Sequence, residues 1–247
     1  MTGITIERRG AVSIITLDRA DRLNALDEPT RLALAAAITT EAADEGVGAV
    51  VLTGNGRAFC VGQDLSAIHE LDDSEDTVGR TYNPIARAIV AADVPVVAAV
   101  NGAAVGAGLG IALSCDLVLL AENATFSSGF GSVGLVPDTG ASWFLARRLG
   151  YVRAFEFTTS GQRLTAAEAV DLGLANAVVP AGSVLADAIE RATALAAGPR
   201  LAFALTKRAL RGAEDGLDEA LDREARFQGL AARDPEHLDR RAAFLAR

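Results

Sequence analysis

The chain has few of the residues that build metal sites and disulfide frameworks. Its 247 residues include two cysteines, Cys60 and Cys115, and two histidines. The cysteines form no C-x-x-C pair, so a zinc-type cluster is excluded, and we expect two buried free thiols in a reducing compartment. The first ten residues, MTGITIERRG, contain no apolar stretch, so we expect no signal peptide and a cytoplasmic location.

An excess of positive charge is also absent. The formal net charge is -9, which argues against a broad basic face for nucleic acid or an anionic membrane but allows a small anion held by local groups. Residues 94–115 carry no charge and are long enough to suggest a membrane span. Pro95, an Asn101-Gly102 turn and several glycines interrupt this segment, so a strand, a turn and a small-residue helix explain it better. We therefore expect neither a nucleic-acid nor a membrane partner.

The signatures of several hydrolases are missing as well. The chain has no G-x-S-x-G motif, and His69 and His237 lie in charged helical stretches where a solvated surface role is expected. Asp138 belongs to an Asp-Thr-Gly tripeptide like that of aspartic proteases. Those enzymes need two carboxylates that share a proton, whereas this chain has one such tripeptide and a predicted helix follows it at once. A role of Asp138 as the N-cap of that helix remains open.

What the chain does have is apolar residues in short runs. They make up 50% of the sequence, enough for a sizeable core. The first half alternates short apolar strands with helices, which predicts an α/β fold with parallel strands. Asp27 is the predicted N-cap of a helix whose face residues include Leu32, Ala36 and Ala43. After Asp138 the pattern is mostly helical.

Two turns that follow buried strands can present backbone N–H groups to a ligand. They are NGRAFCVGQDL at residues 55–65 and the glycine-rich turn at 105–108, and ligands of α/β folds bind at strand ends. Two converging N–H groups form an oxyanion hole, and a helix that begins near Gly106 adds its positive dipole end. A dinucleotide site is an alternative for the second turn, but Ile111 stands where a third glycine or alanine is needed.

Together these segments resemble the crotonase, or enoyl-CoA hydratase/isomerase, superfamily over nearly the whole chain. The similarity lies in LDRADRLNAL, GRAFCVGQDL, PVVAAVNGAAVGAGLGIALSCDLVLLAENATF and GQRLTAAEAVDLGLANAVVP. It implies a spiral core of strand–strand–helix turns over residues 1–190, a helical trimerisation region over residues 191–247, and a homotrimer or hexamer. It also implies an acyl-CoA thioester as substrate and no separate cofactor or metal, because coenzyme A is part of the substrate.

The resemblance further implies a set of site residues. The backbone N–H groups of Gln63 and Ala107 would form the oxyanion hole, and Asp138 would be the catalytic acid and base. The residues expected to bind the CoA part of the substrate are Arg22, Ala58, Val61, Gly62, Asp64, Leu65 and Lys207. The residues expected in the acyl pocket are Tyr82, Phe130 and Trp143.

The activity depends on which acids are present. Hydratases of the family use two glutamates at positions where this chain has Gly110 and Phe130, and without proton-transferring groups efficient hydration is not expected. Asp138 stands where dienoyl-CoA isomerases carry an aspartate, and the resemblance is strongest to the ring-epoxide isomerases of phenylacetate breakdown. We therefore expect an acyl-CoA isomerase. A dehalogenase would need a histidine where Asn83 stands; a hydratase and a non-catalytic acyl-CoA binder remain alternatives.

Overall fold

Two β-sheets form the core of the computed structural model, which describes residues 2–64, 74–212 and 216–245. The six-stranded sheet has the order β1-β2-β3-β5-β7-β10, and the four-stranded sheet has the order β4-β6-β8-β9. The strands are β1 Ile4–Arg9, β2 Val12–Leu17, β3 Ala49–Gly54, β4 Ala58–Cys60, β5 Val96–Val100, β6 Ala103–Val105, β7 Leu117–Ala121, β8 Thr125–Ser127, β9 Arg163–Thr165 and β10 Ala177–Val179.

From β3 to β8, successive strands alternate between the two sheets. β3, β5 and β7 are parallel neighbours in the larger sheet, and β4, β6 and β8, each of which follows one of them, are parallel neighbours in the smaller sheet. Each turn of the chain therefore adds one strand to each sheet before it returns, which is the expected strand–strand–helix spiral. Strands β1 and β2 form an antiparallel hairpin, and the parallel pairing predicted for the first half is confirmed.

The helices cover the sheets and fill most of the second half of the chain. They are α1 Glu28–Ala43, α2 Ser74–Thr77, α3 Asn83–Ala91, α4 Ala107–Ser114, α5 Ala141–Leu149, α6 Tyr151–Thr159, α7 Ala166–Asp171, α8 Val184–Ala196, α9 Arg200–Arg211, α10 Leu217–Ala231 and α11 Pro235–Leu245. A π-helical turn, Val78–Tyr82, joins α2 to α3, and 3-10 turns lie at Ala20–Arg22 and Gly131–Val133. The uncharged segment 94–115 is divided among β5, β6 and α4. Within the described residues, the helices are all too short or too polar to cross a bilayer.

The face predicted for helix α1 is wrong, although its start is confirmed. Asp27 is the N-cap, and its side chain accepts a hydrogen bond from a first-turn amide. Leu32 is 47% exposed, and Ala36 and Ala43 are exposed too. The buried face instead includes a charged residue, Arg31. An alanine-rich helix has weak apolar periodicity, so its orientation is decided by what it packs against.

The two cysteines are buried and free, as predicted. Burial raises the pKa of both the Cys60 and the Cys115 thiol to about 12. Among the described residues there is also no cluster of three or more histidine, cysteine or acidic side chains that could hold a metal.

Candidate functional site

Two backbone segments meet where the parallel strands β4 and β6 end. The strands are neighbours in the smaller sheet, so the residues that follow them leave from the same sheet edge. A Cβ built on Gly62 would lie 3.4 Å from the backbone nitrogen of Ala107 and 3.0 Å from the carbonyl oxygen of Val105. Gly62 thus allows the Gln63 segment to lie directly beside the start of α4.

The amides of Gln63 and Ala107 are the predicted oxyanion donors. Within the described parts of the chain, neither N–H donates to a protein acceptor. Ala107 is the first residue of α4, whose residues are all buried, and the first-turn amides of a helix carry partial positive charge. Gly106 precedes it with φ 57° and ψ -122°, a conformation that glycine adopts without a Cβ penalty. The arrangement can present N–H groups to a developing negative charge.

The N-terminal motif LDRADRLNAL, residues 17–26, holds the Gln63 segment, residues 62–64, in place. The Leu26 amide donates to the carbonyl of Gly62 at 2.8 Å, and the Leu26 carbonyl accepts from the Asp64 amide at 3.2 Å. Leu26 and Gln63 form an isolated parallel bridge. The Asp64 carboxylate is paired with Arg19 at 2.9 Å, so Asp64 anchors this segment to the N-terminal motif.

The remaining residues expected at the CoA groove differ in accessibility. Arg22 lies on the 3-10 turn Ala20–Arg22, and its side chain is exposed. Ala58 is buried in β4, and Val61 is half-buried just after that strand. Leu65 lies outside the described residues.

Lys207 is not brought to this site. Its side chain is 8% exposed, and its ammonium group lies 2.8 Å from the Asp116 carboxylate. The same group donates to the carbonyl of Ile89 at 2.8 Å. It lines a second cavity of about 400 Å³. A contact of Lys207 with CoA is therefore not supported within one chain, because the Asp116 carboxylate and the Ile89 carbonyl engage the ammonium.

A larger cavity, of about 800 Å³, is lined by Gln63. Its walls come from α2, the π-helical turn, the start of α3 and the loop before α5. Tyr82 and Asp138, both predicted site residues, line it as well. Asn83 is also in the lining, so the position that would be a histidine in a dehalogenase faces this cavity as an uncharged amide.

Asp138 is half-buried in the wall of this cavity. Its carboxylate accepts a hydrogen bond from Thr139 Oγ1 at 2.7 Å. Burial raises the pKa of Asp138, while the hydrogen bond from Thr139 and the charge of Arg31 act in the opposite direction. Helix α5 has Gly140 as its N-cap and no side-chain cap. The alternative in which Asp138 caps that helix is therefore not supported.

The loop that carries Asp138 packs directly on α4. Thr139 is 1% exposed and has a φ of 51°, which is unusual for a β-branched residue. A Cβ on Gly110 would lie 2.8 Å from the Thr139 carbonyl oxygen and 3.0 Å from its Cβ. The space beside position 110, where family hydratases carry a glutamate, is therefore occupied by the Asp138 loop.

The aromatic residues predicted for the acyl pocket lie at different places in the structure. Phe130 is buried, and its ring lies 3.7 Å from where a Cβ of Gly106 would be, beside the oxyanion turn. Trp143 is not in the lining of the first cavity: it is 40% exposed and lines the second cavity, with the Arg147 guanidinium 3.2 Å over its ring. Ser142 lines the first cavity, and the next residue of a helix is rotated about 100° around the axis.

One feature of the site was not predicted from the sequence. Arg31 is completely buried, and its Nη1 donates to Tyr82 Oη at 3.1 Å. The available signal was an arginine within the first turn of an otherwise alanine-rich helix, which most often indicates a solvated position.

Comparisons with known proteins agree with this architecture. The family model described as enoyl-CoA hydratase/isomerase matches residues 7–240. A Rhodobacter capsulatus protein named "Probable enoyl-CoA hydratase" is 38% identical over 98% of this chain and 94% of its own length. The 1,2-epoxyphenylacetyl-CoA isomerase of Escherichia coli is 36% identical over 96% of this chain and 92% of its own. The crystal structure of an enoyl-CoA hydratase from a Polaromonas species superposes with a TM-score of 0.93 at 33% identity, covering 98% of this chain and 96% of that one. The chain therefore belongs to the enoyl-CoA hydratase/isomerase family of the crotonase superfamily.

Proposed function

We propose that the chain is an acyl-CoA isomerase that shifts a double bond or rearranges a ring epoxide, with Asp138 as its acid and base. The observation that carries the proposal is the position of Asp138. It is the half-buried carboxylate in the wall of the cavity that Gln63 also lines, and its loop packs on the helix that begins at Ala107. The likeness to the E. coli 1,2-epoxyphenylacetyl-CoA isomerase supports the same activity.

The two backbone amides would stabilise the enolate that forms as the substrate loses a proton. The thioester oxygen would accept hydrogen bonds from the amides of Gln63 and Ala107, and the N-terminal end of α4 adds partial positive charge. Loss of one such donor typically costs about 3 kcal/mol in the transition state. Stabilisation of the enolate oxygen makes the carbon next to the carbonyl more acidic.

Asp138 would remove this proton from the substrate and return it at another carbon. Its carboxylate takes a proton from the carbon next to the carbonyl or from the γ-carbon, and returns it elsewhere on the conjugated system. The electron pair left by the proton forms the enolate, and reprotonation consumes it, so the product has the mass of the substrate. Partial burial of Asp138 raises its pKa, which favours a group that must both accept and release a proton near neutral pH.

Two other carboxylates line the described part of the cavity but suit this role less well. Glu75 and Asp76 lie on α2 and are exposed. Asp76 is also paired with Arg80 at 3.0 Å. A proton on an exposed carboxylate exchanges readily with water, whereas an isomerase that returns the same proton needs a partly shielded group.

The substitution Asp138→Asn tests the proposal. We expect it to abolish conversion of 3-enoyl-CoA or of the aromatic ring-epoxide CoA ester, because an amide cannot accept the proton. Binding of the CoA ester should stay within a few-fold of the original, since the oxyanion amides are unchanged. Products are measured by mass spectrometry: isomerisation leaves the mass unchanged, and hydration adds one water.

Asp76→Asn is the matched control, because it removes an exposed carboxylate from the same cavity. It should keep nearly full turnover. Retained isomerisation in Asp138→Asn would remove Asp138 from the mechanism and defeat the proposal.

Hydration is the second candidate, and the name of the R. capsulatus relative favours it. Addition of water needs an activated water and a proton donor. The two positions that carry glutamates in family hydratases are Gly110 and Phe130 here. Turnover of crotonyl-CoA to a product heavier by one water, at a rate above that of isomerisation, would favour the hydratase.

We also propose that the chain assembles as a homotrimer or hexamer through an apolar patch on α6. The patch consists of Tyr151, Val152 and Phe155, which are 76%, 76% and 57% exposed. The rings of Tyr151 and Phe155 stack with centroids 5.9 Å apart. Contiguous exposed apolar side chains of this size are typical of surfaces that bind another protein.

A further inference from the structure

We propose that Arg31 is a positioning residue that links the Gln63 segment to the wall of the cavity in which Asp138 lies. The inference rests on the proposed function, which supplies the roles of those groups. Arg31 lies on the buried face of α1 and has no exposed surface. A buried guanidinium is costly unless its contacts compensate for lost hydration, so its contacts indicate what it does.

One nitrogen of Arg31 joins the two parts of the site. Nη1 donates to the Leu26 carbonyl at 2.9 Å and to Tyr82 Oη at 3.1 Å. The same Leu26 carbonyl accepts from the Asp64 amide, and Leu26 is bridged to Gln63. Arg31 therefore fixes the residue that holds the Gln63 segment.

The Nε group of Arg31 and the face of its guanidinium contact the cavity wall. Nε donates to Thr81 Oγ1 at 2.8 Å, and Thr81 Oγ1 donates in turn to the Thr77 carbonyl at 2.6 Å. The guanidinium carbon lies 4.4 Å from the centre of the Tyr82 ring. These contacts attach the π-helical turn Val78–Tyr82 to α1. A planar, multidentate cation suits this task better than an ammonium group does.

The charge of Arg31 also reaches Asp138. It lowers the pKa of that carboxyl group, against the larger raising effect of burial. Among the described residues, the other charged or titratable side chains of the cavity are Glu75, Asp76, Arg80 and Tyr82. Helix α4 carries no titratable side chain, and Arg147 and Arg148 of α5 line the second cavity.

The test compares Arg31→Met with Arg31→Lys. A base must be ionised, so the rate falls as the pH drops through the pKa of Asp138. Loss of the positive charge raises that pKa, and we expect the acid limb of the pH–kcat profile of Arg31→Met to move to higher pH. kcat should fall at least tenfold with KM changed less than threefold. Arg31→Lys keeps the charge and should keep the position of the acid limb. Its kcat should fall, because an ammonium group cannot make the contacts with Leu26, Thr81 and Tyr82 at the same time.

Arg148→Met is the matched control. Arg148 is a partly buried guanidinium that donates to the carbonyls of Leu113 and Leu174, away from the site. It should show a lower urea midpoint with an unchanged acid limb and an unchanged kcat. The urea midpoints of Arg31→Met and Arg31→Lys are measured as well. They distinguish a loss of stability from a displacement of the Gln63 segment and the cavity wall. An Arg31→Met enzyme with the original kcat would overturn the proposal, and an equal shift of the acid limb in Arg31→Lys would overturn the charge effect.

A second measurement needs no substrate and keeps this test separate from the proposed reaction. The Asp138 carboxyl carbon is labelled with carbon-13, assigned by its absence in Asp138→Asn, and titrated by NMR. A higher midpoint in Arg31→Met supports the charge effect even if Asp138→Asn retains turnover, which would defeat only the proposed function. An unchanged midpoint overturns the charge effect.

Discussion

Gly110 has a role beyond the absence of a catalytic acid. A side chain at this position would meet the Thr139 carbonyl at 2.8 Å, and Thr139 is next to Asp138 and hydrogen-bonded to it. The presence of Asp138 in the cavity and the absence of a glutamate at position 110 are therefore linked, because the Asp138 loop fills the space that a side chain at 110 would need. Restoring a glutamate at 110 would displace the very loop that carries Asp138.

The substitution Gly110→Ala tests this packing. We expect a loss of about 1–3 kcal/mol in the free energy of unfolding, because the added methyl overpacks a buried contact. We also expect a larger than tenfold loss of kcat, since Thr139 must move and Asp138 with it. Urea denaturation and isomerase assays measure the two effects.

Gly229→Ala is the comparison, because Gly229 lies in α10 and only the end of the Arg233 side chain comes within 4 Å of its Cβ position. It should be neutral or stabilising, since alanine is a better helix former. Unchanged activity in Gly110→Ala would show that the Thr139 contact does not position Asp138.

Among the elements, α4 contributes most to the site. It is short, uncharged and completely buried, so its stability comes from packing against α3, α5 and strands β4 and β6 of the smaller sheet. Its first residue carries one proposed oxyanion donor, and its N-terminal dipole end lies beside the Gln63 segment. The orientation of that donor depends on Gly106, whose backbone conformation ends β6 and starts the helix.

Gly106→Ala should therefore affect catalysis more than folding. The Cβ would have space, with its nearest neighbour the Phe130 ring at 3.7 Å, but the backbone conformation costs a non-glycine residue about 1–3 kcal/mol. We expect the turn to relax, the Ala107 amide to rotate, and kcat to fall by about 100-fold, as for loss of an oxyanion donor.

Gly173→Ala provides the control. Gly173 also has a positive φ, of 75°, with open space around its Cβ position, but it follows α7 and does not line the cavity. It should lose stability and keep kcat. Equal kcat values for the two variants would contradict a catalytic role of the Gly106 turn.

For the whole molecule, exposed apolar side chains indicate where copies of the chain would meet. The described surface has its most exposed apolar side chains on α6 and in the loop that leads to Asp138, where Val136 is 80% exposed. The 3-10 turn Gly131–Val133 packs against α6. Contact between copies on this surface would therefore also restrain the Asp138 loop.

Phe155→Glu tests the proposed assembly. A buried unpaired charge is costly, so the variant should shift the mass measured by light scattering after gel filtration from three or six chains to one. Circular dichroism should stay unchanged, because Phe155 is exposed within the chain.

Ile6→Glu is the matched control, since Ile6 is an exposed apolar residue on the edge strand β1, 47% exposed. It should leave the mass unchanged. An unaltered mass in Phe155→Glu, or a monomeric original protein, would contradict the proposed interface.

Several features followed from sequence because they depend on neighbours along the chain. The Asp27 cap, the alternation of apolar strands and the glycines at 62 and 106 are local patterns, and the family motifs are contiguous segments. They were enough to predict the α/β class, the parallel pairing and the family. The oxyanion and acid–base roles of Gln63, Ala107 and Asp138 remain predictions, and so do the cytoplasmic location and the division at residue 190.

The tertiary structure alone decided which side chains meet. A helix residue one position from the cavity lining points elsewhere, so Trp143 lies in a different cavity from Ser142. The ammonium of Lys207 is engaged by a carboxylate 91 positions away along the chain, and Arg31 is buried because α1 packs on the π-helical turn. Such contacts join residues distant in sequence, and their geometry depends on how helices rotate against the sheets, which local residue patterns do not specify.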